Sequence, residues 1–351
     1  MSKIHSRVAV SIAAIAVVVT MSACSSGSST PSSSSTASTG KTEGTLTLYT
    51  ERDPQEIAPV ITDFEEKTGI QVQVFASTAA GVAAKLEAEE ASGVHTADVI
   101  EESGDTNMLA LETAGNLAKL PKSVTSLIPK QDPAFTRGNG YSFSVTTTLV
   151  GIAYNTNLVK GKNIPKEFTD LLSPYFKGKF SVPISTNSTS IQSFYQMTKL
   201  SYLGKKYITG LGNNGAVISA HSGDQVSSLI TGDQVAAITN DNAVWPQIVN
   251  GAPIKFVYPS KGLAAVNAYE ALVTGAPHPK AAAAFLQFLT TKKAQQDLAT
   301  TGSTLTIPGT PLVPANRPTV DKLKFFTNPD TAALLAAQST MVPFLTTALH
   351  E

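Results

Sequence analysis

Cysteine is all but missing: Cys24 is the chain's single one. That excludes an intrachain disulfide framework and any zinc cluster built from thiolates. Charge is scarce too, with 15% of residues Asp, Glu, Lys or Arg and 26 of each sign. A neutral balance lacks the clustered basic face that nucleic acid requires, so no nucleic-acid partner is expected. The five histidines (His5, His95, His221, His278 and His350) are scattered, and no HExxH, GxSxG or GxxxxGK[ST] pattern occurs. Lys67-Thr68-Gly69 matches the KTG element of penicillin-interacting enzymes, but the SxxK match, Ser38 to Lys41, falls in a low-complexity stretch. Lys67-Thr68-Gly69 is therefore read as a helix end. No catalytic residue, metal or cofactor is expected, and the chain is not read as an enzyme.

What is present is apolar. Hydrophobic residues make up 42% of 351 positions, ample for a packed core and too many residues for a single one, so two lobes are predicted. Lys3 and Arg7 precede an apolar run from Val8 to Val19, then Met21-Ser22-Ala23-Cys24. The run is short for a bilayer span and reads as an export signal over residues 1–23. The small residues ahead of the cysteine resemble a bacterial lipobox, in which Cys24 becomes a lipidated N-terminus on the extracytoplasmic face of the membrane. Between Ser25 and Thr39, 12 of 15 residues are Ser or Thr. Such a composition buries no core, so residues 24–44 are read as a flexible tether.

Beyond it, strands and helices alternate. Thr45 to Tyr49 is a strand; Asp53-Pro54-Gln55-Glu56 starts a helix, with Asp53 as N-cap and Glu56 at capping-box spacing. Ile57, Val60, Ile61 and Phe64 follow at helical spacing, and Gly69 closes the helix. Ile70 to Phe75 is a strand, Ala79 to Ser92 a helix and Asp98 to Glu101 a third strand, leading into a helix that runs to about Ala118. Such alternation predicts parallel pairing in an α/β lobe. Val145 to Tyr154 reads as a long strand crossing between lobes. Phe180 to Ile184, Val217 to Ala220, Val235 to Thr239 and Ile254 to Tyr258 are further strands, the last returning the chain to the first lobe. Helices are expected from Ile191, after Ser222, over Ala281 to Ala299 and near Ala332 to Leu349. Residues 45–145 and 259–351 form lobe 1 and residues 146–258 lobe 2.

In open α/β sheets the ligand crevice lies beyond the carboxyl ends of the strands. The polar loops there are Thr50-Glu51-Arg52, Ser103-Gly104, Ser188-Thr189-Ser190, Ser222-Gly223 and Asn240-Asp241-Asn242. Thr189 with Gln192 and Ser222 with Gln225 fit capping-box spacing, so these hydroxyls either cap their own helices or frame free N–H groups for a small anion. Arg52 could hold a carboxylate or phosphonate through two hydrogen bonds. Glu51 and Asp241 could accept from an amine.

The order of these segments resembles the extracytoplasmic substrate-binding proteins of ABC importers, within them the ferric-iron type cluster. The matching stretches are Leu46 to Thr50, Phe64-Glu65-Glu66-Lys67-Thr68-Gly69-Ile70, Ala97 to Ile100, Gly151-Ile152-Ala153-Tyr154-Asn155, Asp170 to Lys179 and Gly275 to Ala282. The resemblance implies a two-lobe, periplasmic-binding-protein-like (type II) α/β fold. Each lobe is a mixed sheet flanked by helices, and crossing strands join the two. It implies capture of a solute between the lobes and its delivery to a permease with an ATPase. The mixture of loop residues favours a small polar solute, anionic or zwitterionic, and the binding protein is expected to be a monomer. Thr146 and Thr147 on the crossing strand, and Asn267 and Tyr269 on the returning segment, lie where the resemblance places cleft walls. Iron-binding members carry adjacent tyrosines where this chain has Asn240-Asp241-Asn242. Ferric-iron capture by the same fold, or a sensor for a signalling partner, stands as the alternative.

Overall fold

The computed structural model describes residues 44–128, 135, 137–327 and 330–351. The leader, Cys24 and the tether up to residue 43 lie outside the described residues. The first four elements follow directly from local chemistry. Strand β1 (Thr45–Thr50) buries Leu46 and Leu48, and helix α1 (Pro54–Thr68) begins where the Asp53 carboxylate accepts from the Gln55 N–H. Pro54 fits the first helical position because its missing N–H would find no partner there. Ile57, Val60 and Phe64 face the core, and Gly69, at φ 72°, ends the helix in the left-handed conformation that glycine adopts without strain. Strand β2 (Gln71–Ala76) and helix α2 (Ala79–Ser92) repeat the pattern.

Next come β3 (Val99–Ser103), α3 (Asp105–Thr113), β4 (Leu117–Ala118) and α4 (Lys122–Thr125). Strand β5 (Ser142–Asn155) then runs unbroken for 14 residues. The chain continues through β6 (Phe180–Pro183), α5 (Ser188–Thr198), α6 (Gly204–Asn213), β7 (Val217–Ser219), α7 (Ser222–Thr231), β8 (Ala236–Asn240), α8 (Asp241–Val249) and β9 (Ile254–Val257). It closes with β10 (Ala264–Val273), α9 (Pro279–Leu289), α10 (Lys292–Thr300), β11 (Thr304–Leu305) and α11 (Thr331–Leu349).

The sheet is continuous, with strand order β2-β1-β3-β10-β5-β8-β6-β7. Strands β1, β2 and β3 pair in parallel, as do β6, β7 and β8, while β10 and β5 join the two sets through antiparallel ladders. The N-terminal part of β5 pairs with β10 and its C-terminal part, Val150 to Tyr154, with β8. The expected crossing strands are therefore real, and they make one sheet of two halves. A bulge interrupts the β5–β10 register between Ala268 and Tyr269, opposite Thr146 and Ser144, and raises the local twist there.

Two expectations are corrected. Strand β9 does not return to the first half; it pairs antiparallel with Ile152 to Asn155 of β5, and β10 makes the return. The helix expected over Ala281 to Ala299 is two helices, because the Thr291 hydroxyl caps a new start by accepting from the Ala294 N–H. Helix α11 packs against α6, α3 and α5, burying Leu334, Met341, Leu345 and Leu349 in the core of the second half while Gln338 reaches Thr106 of α3 at 3.1 Å. The end of the chain therefore touches both halves.

Candidate functional site

Two cavities open at the carboxyl ends of β1 and β3, the smaller beside the middle of β5. The smaller, about 210 Å³, is predominantly polar and lined by Glu51, Arg52, Asp53, Glu56, Glu101, Ser103, Thr146, Thr147, Thr148, Asn242, Ala268 and Ser303. The larger, about 1130 Å³, shares Glu51, Arg52 and Asp53 with it and extends between α2 and α3 toward Thr186, Asn187, Ser188 and His221 of the second half. The β1–α1 loop is thus a ridge common to both.

Arg52 is the organising cation. Its Nη2 donates to Glu101 Oε1 at 2.8 Å and to Thr146 Oγ1 at 2.7 Å, its Nε to Glu101 Oε1 at 3.1 Å, and its Nη1 to Ser303 Oγ at 3.2 Å. Burial works against its charge, but Glu101, then Glu270 and Glu56, outweigh that and hold the guanidinium protonated. Thr50, buried beneath the loop, donates its hydroxyl to Glu101 Oε2 and accepts from the Arg52 N–H at 2.9 Å. The fork expected to receive a carboxylate or phosphonate is therefore already filled by the protein.

Carboxyls crowd this one cation. Glu270 stands directly across from Glu101 in the β3–β10 ladder, a like-charge pairing that destabilises a sheet when both are ionised. Burial, then Glu101, pushes the Glu270 carboxyl well above its ordinary range. Burial, followed by Glu51 and Glu101, pushes Glu102 up to about 9. Glu102 is 1% exposed; its Oε1 has no hydrogen-bond partner, and its Oε2 only a long one, 3.5 Å, from Asn107. Burial also raises Glu51 and Glu56, in each case with Glu101 adding to the effect. Glu51 accepts from the Ser103 N–H at 2.9 Å. Glu56, expected to close a capping box, lines the smaller cavity instead. Neither lining contains a lysine or a tyrosine.

Of the sequence-predicted residues, Glu51, Arg52, Ser103, Thr146, Thr147 and Asn242 come together at the smaller cavity, and Ser188 reaches the larger. Buried oxygens without a partner, Thr147 Oγ1 and Asn242 Oδ1, lie among them. The others serve the scaffold. Asp241 is fully buried, held by Arg317 Nη2 at 3.1 Å, the Leu149 N–H at 2.8 Å and the Thr304 hydroxyl. Asn240 precedes α8 without a side-chain cap. Tyr269 donates to Asp105 and accepts from Asn267 Nδ2 at 3.1 Å, and Gly104 N–H bonds the Asn267 carbonyl at 2.9 Å.

The expected capping boxes are not formed. Asn187 caps α5 by accepting from the N–H groups of Thr189 and Ser190, so those groups are not free for an anion. Gln192 reaches Asp105 Oδ2 at 3.3 Å, across to the first half. Ser222 and Gly223 start α7 but line neither cavity; their neighbour His221 lines the larger one.

Comparison with known proteins places the chain in a family and a fold. Residues 60–327 match the family model described as bacterial extracellular solute-binding protein. The chain belongs to this family. No curated protein sequence matches it. Iron-bound HitA from Pseudomonas aeruginosa superposes with a TM-score of 0.71 at 23% identity, covering 87% of this chain and 99% of HitA. The apo ferric ion-binding protein A of Pasteurella haemolytica gives 0.71 at 19% identity, covering 87% and 98%. AfuA from Actinobacillus pleuropneumoniae, solved with fructose-6-phosphate, gives 0.70 at 21% identity, covering 88% and 99%. The fold of this solute-binding protein is that of the type II periplasmic binding proteins, as the segment order implied. Its family is one of solute-binding transport components of ABC-importer type, not of enzymes.

Sequence reasoning missed Glu56, Glu101, Glu102, Ser303 and the residues of α2 and α3. A signal for two of them was present. Glu101 and Glu102 end an apolar strand, where acids either meet solvent or face a functional crevice.

Proposed function

We propose that this solute-binding protein captures a small polar solute carrying a positively charged nitrogen, held at the crossing of β1, β3 and β5. The observation that carries the reading is five glutamates, Glu51, Glu56, Glu101, Glu102 and Glu270, around one arginine with four of its five side-chain N–H donors already engaged by the protein. An added cation relieves that imbalance, and an added anion worsens it. The lining therefore favours a cationic or zwitterionic solute over the anionic one that the loops had implied. A sugar phosphate would bring a second negative cluster against the first. For ferric iron, the lining offers no phenolate, and among the described residues no group of three or more His, Cys, Asp or Glu is placed to hold a metal ion.

The solute passes to an ABC permease and its ATPase. The binding protein acts as a monomer at the extracytoplasmic face, tethered through lipid on Cys24. Thermal-shift and calorimetric titration of residues 41–351 tests the solute class. Simple ammonium ions and betaines should raise the melting temperature, and acetate, phosphate and phosphonates should not. Stabilisation by the anions alone would overturn the reading.

A further inference from the structure

The larger cavity is out of proportion to the acidic one. A solute filling only the 210 Å³ end would occupy a small part of a cleft that continues for about 1130 Å³. The walls of that continuation differ in kind. Ala79, Ala80 and Ala83 form one stripe along α2, and Ala110, Leu111 and Ala114 another along α3. Small apolar side chains at i, i+1 and i+4 give each helix an apolar stripe, bordered by Glu87 on α2 and Asn107 on α3. Polar groups, among them Asn107, Asn116 and Asn187, stand around them, and the wall area is mostly apolar.

At the junction with the acidic end lies Glu102, buried to 1% and with an oxygen that no protein group satisfies. An orphaned buried acceptor is costly, so it marks the place where a ligand's donor belongs. Resting on the cation reading above, we infer that the solute is an amphipathic organic cation. Its charged nitrogen sits against Glu51 and Glu102, and its hydrocarbon body lies between the alanine faces of α2 and α3. Each methylene withdrawn from water there contributes about 0.8 kcal/mol, close to a fourfold gain in affinity.

The test is calorimetric titration of residues 41–351 with n-alkylammonium chlorides from ethyl to octyl, alongside the corresponding alcohols. Affinity should climb about threefold to fourfold per methylene through the first several carbons, with alcohols at least tenfold weaker than amines of equal length. A83L and A110L should flatten the climb. Glu102→Gln should weaken every amine and leave the slope with chain length unchanged. Amines that bind with no dependence on chain length, or a climb that A83L and A110L leave untouched, would overturn the apolar arm and spare the cation reading. Failure of every amine to bind would overturn both.

Discussion

Arg317 Nη2 lies 3.1 Å from Asp241 Oδ2, and neither side chain reaches solvent. The pair sits at the start of α8, where Asp241 also takes the Leu149 N–H of β5 and Arg317 donates to the Gly302 carbonyl at 3.0 Å. It therefore fastens the end of β8, the crossing strand and the segment after α10 to one another. Burial raises the Asp241 carboxyl, and Arg317 opposes that shift.

Removing one member of such a pair leaves a buried charge uncompensated, which costs about 3–5 kcal/mol. Arg317→Met should lower stability by that amount in urea unfolding. The double variant with Asp241→Asn should lose less than Arg317→Met alone, because the stranded charge is gone. Equal losses in the two would refute the pairing as a stability element.

A second expectation concerns pH. The Glu102 carboxyl is ordinarily half-ionised near 4.5 and is pushed up to about 9 here. Between those values the folded, solute-free protein holds a proton that the unfolded chain has released, so stability falls as pH rises through that window. The contribution is fully present below about 4.5 and gone above about 9. Melting temperatures across pH 5 to 9 should decline in the wild type and less steeply in Glu102→Gln, where Glu270 keeps part of the slope. Affinity for a cationic solute should move the other way, rising as the carboxyl ionises. A Glu102→Gln profile as steep as the wild type would remove Glu102 as the source.

A third expectation tests the seat of α11. Gly212 on α6 faces it closely: a Cβ added there would lie 2.0 Å from the Ala348 carbonyl oxygen. Backbone cannot yield as a side-chain tip does, so Gly212→Ala should displace α11 at a cost of about 1–3 kcal/mol. A drop of several degrees in melting temperature is the expected readout. Because the contact lies away from both cavities, affinity for a bound amine should change little.

Much of the scaffold was legible from local signals. Asp53-Pro54 and Gly69 bounded α1 to the residue, and apolar alternation located β1 and β8 within one position. The polar loops at the strand ends do converge, and Glu51, Arg52, Ser103, Thr146, Thr147 and Asn242 line the smaller cavity together. What local sequence could not carry was pairing at a distance. Arg52 looks free until Glu101, 49 residues on, is seen beneath it, and Asp241 looks like a solvated loop acid until Arg317, 76 residues away, is found against it. The direction of β9 was misjudged for the same reason: a short apolar strand carries no mark of which edge it joins.

Strand β5 has a mechanical consequence. Thr146 to Thr148 border the smaller cavity, and within a few residues the same unbroken backbone is laddered to β8 and β9. A strand laddered to neighbours along its length cannot slip by one residue without turning every side chain to the wrong face. Slip along this strand is therefore no part of loading, and any bending asked of it is borne by its own backbone, as in a leaf spring clamped at both ends.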